Sequence, residues 1–179
     1  MSAQRVAPGG RDDVGAATWA FAALAGRVAG TRPMKLFLTL GRHPGLFRGW
    51  LMFAGRLMPG GKLPRRDTEL VILRVAHLRR CAYEFEHHVT LGRRAGIGRD
   101  EVQRVMDGPS AEGWSPRERA ILRAVDELHA DGDVTDQTWG DLRAHLDDRL
   151  LIELVMLAAH YEMLATTINT LRIPPDAPR

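Results

Sequence analysis

Residues 63–99 read LPRRDTELVILRVAHLRRCAYEFEHHVTLGRRAGIGR, and this stretch decides the fold. Behind Pro64, Leu70, Leu73 and the Ala76–His77 pair recur at helical spacing, and a second run through Tyr83, Val89 and Leu91 stops at Gly96. One helix over the whole length would be unusually long. Arg79 and Arg80 interrupt the apolar pattern, so the spacing predicts a break at Leu78 to Cys81 and two helices, over 65–78 and 82–95. Cys81, Glu84 and His88 stand at i, i+3 and i+7 and share a face of the second helix. Glu69, on the first helix, reaches them only if the chain folds back at the break.

Working outward, Ala16 to Ala29 reads as a helix and Pro33 as the first turn of a short one carrying Leu36, Phe37 and Leu40. Leu46, Phe47, Trp50, Leu51, Ala54, Leu57 and Met58 repeat at three and four and predict an amphipathic helix ended by Pro59-Gly60-Gly61. Arg99 to Met106 is a further short helix. Ser115, Thr135 and Asp147 or Asp148 are N-caps of three more, the last running from 149 to 171 and apolar over most of its circumference. No strand-like alternation occurs. The pattern predicts an all-α bundle of about eight helices, with a disordered tail over 1–13 and a single domain over 14–179. ELVILRVAH at 69–77 and ELVMLAAHY at 153–161 hint at an internal duplication.

At 179 residues and 45% hydrophobic content, the chain is long enough for one substantial core. Net charge is +3, with pI near 9.6 and Lys only at 35 and 62. Acids interleave with Arg almost everywhere, so no concentrated basic face for nucleic acid is expected. A single cysteine excludes an intrachain disulfide and fits a reducing, cytoplasmic setting. No run approaches the roughly eighteen apolar residues of a membrane span. Asp12 and Asp13 spoil the cationic flank a signal segment at 14–26 would need.

Glu69, then Cys81, then position 84, then His88 resembles the Glu…Cys-x-x-Cys-x-x-x-His signature of the alkylhydroperoxidase D proteins, within the carboxymuconolactone decarboxylase family. ELVILRVAHL and YEFEHHVTLGRRAGI resemble that family's helix pair, and HYEMLATTINTLRIPPD near the end is similar more weakly. The resemblance implies an alkylhydroperoxidase D-like helical bundle, a homo-oligomer (dimer, trimer or hexamer), and a proton relay that includes Glu69 and His88. It breaks at one place. The second cysteine of the pair is Glu84.

That departure sets the chemistry. Glu84 disfavours a thiolate at Cys81 and cannot form a disulfide with it, so a peroxidase cycle would draw its resolving thiol from outside the chain. A partly buried Glu84 and His88 are instead suited to proton transfer near neutral pH. The candidate catalytic residues are therefore Glu69, Cys81, Glu84 and His88. Tyr83, His87 and Arg74 are the candidates for holding substrate, Arg74 because a cation attracts an anionic one. His77, His160, Tyr161 and Asn169 read as polar core residues. Glu84-x-x-His87 is half of a di-iron motif, but the chain has no second copy, so no metal and no organic cofactor is expected.

The leading expectation is an enzyme acting by Glu/His acid–base chemistry on a small carboxylated lactone or related organic acid, as the decarboxylase branch does. The alternatives are thiol-dependent hydroperoxide reduction at Cys81, and a catalytically silent oligomeric binding module.

Overall fold

The computed structural model describes residues 3–178; Met1, Ser2 and Arg179 lie outside them. Among the described residues ten helices follow one another: α1 (Arg11–Val14), α2 (Ala16–Ala29), α3 (Lys35–Leu40), α4 (Pro44–Leu57), α5 (Arg65–Leu78), α6 (Ala82–Arg94), α7 (Arg99–Asp107), α8 (Pro116–Asp131), α9 (Asp136–Arg143) and α10 (Asp148–Leu171). No strand is present among the described residues, only an isolated bridge between Thr31 and Pro178.

Local chemistry sets most boundaries. Ser115 accepts from Glu118 N–H while the Glu118 carboxylate accepts from Ser115 N–H, closing a capping box ahead of Pro116. Thr135 and Asp147 cap α9 and α10 more simply, each side chain accepting one N–H, from Thr138 and Leu150. His43 Nδ1 accepts from Leu46 N–H ahead of Pro44 and starts α4 two residues before the apolar pattern begins.

α5 is the axle of the bundle. Every residue from Asp67 to Ala76 is buried, because α6, α7, α8 and α10 pack on different sides of it. The break falls where the two arginines stand: Arg79 is the C-cap, Arg80 takes a left-handed φ of 51°, and Cys81 is the N-cap of α6. Asn169 Nδ2 donates to Arg79 O at 2.9 Å and ties that turn to α10.

Three expectations are corrected. The tail over 1–13 is not loose where it is described: Arg5 N–H donates to Leu171 O and Gly9 N–H to Leu38 O, each at 3.0 Å, and α1 buries Val14. Backbone groups paired to distant elements order a segment whose composition lacks any periodicity. α1 adds a helix that no periodicity announced, since four residues span barely one turn. α10 is, by length and composition, apolar enough to cross a membrane, although half of that window is buried in the bundle.

Arg74 is not at a substrate site. Its guanidinium makes two hydrogen bonds to Asp126, at 2.6 and 2.8 Å, and donates to Val105 O and Met106 O, both at 2.8 Å. A buried cation demands this many partners, and here they clamp α5 to α7 and α8. Arg74→Ala is expected to lower unfolding free energy by about 3 kcal/mol, since it strands Asp126 and two carbonyls, while leaving ligand binding in the cavity described below intact. Urea denaturation measures the loss, and an unchanged midpoint would refute the role.

Candidate functional site

The turn at Arg80 folds α6 back along α5 and brings Glu69 against His88: Nδ1 lies 2.7 Å from Glu69 Oε2. Glu69 is fully buried, and its other oxygen faces Arg65 Nε at 3.3 Å. A carboxyl group fixed in this way orients the imidazole. Tyr161 of α10 meets the His88 ring edge to face at 5.3 Å between centroids.

Beside this pair lies a cavity of about 550 Å³, walled by α2, α3, α4, the start of α5, α6 and α10. Its lining is largely apolar and aromatic, with Phe21, Phe37 and Trp50 among the contributors. The polar residues on the wall are Arg65, Tyr83, Glu84, His87, His88, His160 and Tyr161. A concave, mostly apolar space with a few converging polar groups is the usual form of a small-molecule site.

Glu84 is the most perturbed acid of this wall. It is 3% exposed, and neither carboxyl oxygen has a hydrogen-bond partner among the described residues. Burial pushes its carboxyl up to about 8, the neighbouring Cys81 thiol partly offsetting this and the Glu162 charge adding to it. It therefore stands mostly protonated at neutral pH, as an acid one helical turn from His88. Burial likewise pushes His160 down to about 4, and its Nδ1 is unpartnered. Tyr161 is held above its ordinary value by burial, with the Glu84 and Glu69 charges adding to it.

Cys81 touches the same acid from the other side. It is sealed in the core and borders a separate hollow with His77, Phe85 and Met106. Burial and then the Glu84 charge push its thiol up to about 12, the reverse of what a nucleophilic cysteine requires.

Of the residues singled out in the sequence, Glu69, Glu84 and His88 converge, Cys81 adjoins them behind Glu84, and Tyr83 and His87 join the wall. Arg74 stays away, and the cation at the cavity is Arg65. His160 and Tyr161, read as polar core residues, are cavity residues too. Asp176 was missed: it accepts from Tyr83 Oη at 2.6 Å and meets His87 Nε2 at 3.1 Å. Nothing in a proline-rich terminal segment signals that contact. Among the described residues, no group of three or more His, Cys, Asp or Glu is arranged to hold a metal ion.

Residues 44–127, spanning α4 to most of α8, match the carboxymuconolactone decarboxylase family. No curated protein matches the chain by sequence. Among solved structures, an uncharacterized peroxidase-related protein from Ralstonia eutropha JMP134, described as an alkylhydroperoxidase AhpD core, is 19% identical over 97% of this chain and 94% of its own, with a TM-score of 0.81. The debrominase Bmp8, solved as a cysteine-to-alanine variant with 2,3,4-tribromopyrrole, is 15% identical over 99% of this chain and 94% of its own, with a TM-score of 0.81. A protein of unknown function from Agrobacterium tumefaciens, described as a putative antioxidant defence protein AhpD, is 20% identical over 75% of this chain and 92% of its own, with a TM-score of 0.70. At these identities the three likenesses speak for the fold alone. The matched segment holds the α5–α6 pair and its Glu69–His88 contact, and it is similar to the carboxymuconolactone decarboxylase family, while the alkylhydroperoxidase D-like fold extends along nearly the whole chain.

Proposed function

We propose that this protein is an acid–base enzyme acting on a small carboxylated lactone or related organic acid, with loss of carbon dioxide. The observation that carries the reading is Glu84, a buried carboxyl with no partner for either oxygen, on an apolar cavity wall one turn from an imidazole locked to a second carboxylate. In such a step the bond from carbon to the substrate carboxylate breaks and carbon dioxide leaves. The electron pair passes into the conjugated carbonyl, and the Glu84 carboxyl donates its proton to the carbon. His88, steadied by Glu69, then returns a proton to Glu84, and Arg65 draws the substrate anion. The apolar walls suit a small ring, the kind of ligand that the debrominase's structure contains.

Hydroperoxide reduction at Cys81 is the rival within the family, and the names of two similar structures favour it. It needs a thiolate, and Cys81 is sealed and has Glu84 where a second thiol would stand.

Assayed against carboxylated lactones, Glu84→Gln is expected to lower kcat by about a hundredfold or more, the usual worth of a positioned acid. Cys81→Ser keeps its turnover. Because the protonated carboxyl is the active form, the wild-type rate is expected to fall as pH rises through about 8. Complete loss of a measured lactone activity in Cys81→Ser would overturn the reading. Turnover of hydroperoxides with an external thiol, and not of lactones, would install the rival. If nothing is turned over and the variants change only stability, the silent binding module stands.

Stability carries the same signature. Glu84 has a higher affinity for its proton folded than unfolded, so its contribution is fully present below about 4.5 and is lost as pH rises through about 8. Glu84→Gln removes that component, and thermal melts of the two proteins are expected to diverge over this window in the variant's favour. Parallel melting curves would show that Glu84 is not buried as described.

The same family reading implies self-association, and Leu24, Val28, Leu46, Met52 and Ile152 leave apolar side chains exposed on α2, α4 and α10. Sedimentation is expected to show a homo-oligomer that Met52→Glu combined with Ile152→Glu shifts toward the 19.9 kDa monomer. A monomeric wild type would overturn this.

A further inference from the structure

The chain does useful chemistry after α10 ends. Residues 173–178 turn back across the start of α3. Arg32 N–H donates to Ala177 O at 3.1 Å, Lys35 Nζ donates to Pro175 O at 2.6 Å, and Thr31 pairs with Pro178. This strap delivers Asp176, its side chain 1% exposed, to the back of two cavity residues. Asp176 Oδ2 accepts from Tyr83 Oη at 2.6 Å and lies 3.1 Å from His87 Nε2, while Oδ1 accepts from Lys35 N–H at 3.0 Å. Burial acts to raise the Asp176 carboxyl, but the bonds from His87, Tyr83 and Lys35 N–H outweigh it and hold the group below its ordinary value. It is ionised at neutral pH.

An ionised carboxylate only accepts hydrogen bonds. His87 Nε2 therefore carries the hydrogen, and in the neutral ring Nδ1 is bare. His88 is the mirror case: its Nδ1 faces Glu69, so the hydrogen sits there and Nε2 is bare. Neither bare nitrogen has a hydrogen-bond partner among the described residues, and neither is among the sealed, unsatisfied atoms. Two consecutive histidines of α6 line one cavity in opposite tautomers, each backed by a carboxylate from a distant part of the chain.

We infer that Asp176 is a positioning residue that holds His87 with Nδ1 as a hydrogen-bond acceptor, so that the cavity takes a small organic acid carrying a hydroxyl group, which donates to that nitrogen. The inference rests on the reading of this cavity as the substrate site and narrows the class of substrate. Tyr83 cannot take the same part, since its hydroxyl is already spent on Asp176 and on Leu36 N–H, the latter at 3.4 Å. Until a ligand supplies the donor, Nδ1 is left to water, and a site that offers its ligand this one acceptor in apolar surroundings discriminates against an analogue without the hydroxyl.

Two measurements on the full chain test this without any turnover. Long-range ¹H–¹⁵N correlation spectra of histidine-labelled protein at neutral pH read both tautomers directly. The expected pattern is a bare Nδ1 on His87 and a bare Nε2 on His88, with the His87 preference relaxed in Asp176→Asn and that of His88 kept. Titration with the matched probes 4-hydroxybenzoate and benzoate is expected to give about tenfold tighter binding of the hydroxylated acid. Asp176→Asn and His87→Phe each erase the difference. Both histidines in one tautomer, no saturable binding of 4-hydroxybenzoate, or equal affinities for the two probes would overturn the inference. Failure to decarboxylate lactones leaves these readouts untouched, so a failure of the proposed reaction is distinguishable from a failure here.

Discussion

A fully buried carboxylate cannot stand alone, and the arrangement of this protein follows from how Glu69 is answered. Burying an isolated charge costs more than a marginally stable fold has to spare, so the helix that carries it needs a partner at hydrogen-bond distance. His88 supplies one at 2.7 Å, and Arg65 adds an ion pair at 3.3 Å to the other oxygen without a hydrogen bond. The first of these contacts sets the register between α5 and α6. That register is possible only because the chain reverses sharply at Arg80, which accepts a left-handed backbone to do it. The cavity, the unpartnered acid on its wall and the sealed thiol behind that acid all take their positions from this pairing.

The site divides labour by environment rather than by residue type. Four carboxyl groups surround it, and their surroundings set them apart. Glu69 is backed by an imidazole and a guanidinium, and Asp176 is held by three donors. Glu162 is paired with His129 at 2.8 Å and with Arg79. Glu84 has none of these and keeps its proton. A wall that offers one protonated acid next to two imidazoles, each backed by a carboxyl group, is suited to moving protons on a substrate that the apolar lining has stripped of water. The lone cysteine, which by itself invites a redox reading, is placed where burial and a neighbouring acid both oppose ionisation.

Much of this was legible along the chain because it depends on short-range chemistry. The break at Arg79–Arg80, the capping residues Ser115, Thr135 and Asp147, and the shared face of Cys81, Glu84 and His88 involve residues at most seven positions apart. Periodicity and caps report on such distances directly. Arg74 was misread for the complementary reason. An arginine on an apolar stripe looks like a cation at a site until α7 and α8 are in place, and their Asp126, Val105 O and Met106 O absorb it. The ordered N-terminal segment escaped notice in the same way, since Arg5 and Gly9 are tied to Leu171 and Leu38 by backbone bonds that no side-chain pattern encodes.

The sequence by itself determined the helices, where they end, and which acid, thiol and imidazole share a turn of α6, because the α-helix converts spacing into direction with no help from the rest of the molecule. Which of those groups is charged, which is sealed, and what stands opposite them was decided only in three dimensions. Solvation and the distance to a counter-charge govern these properties. For Glu84 and His87, both depend on segments as remote as Glu162 and Asp176, which come near only after the bundle has closed.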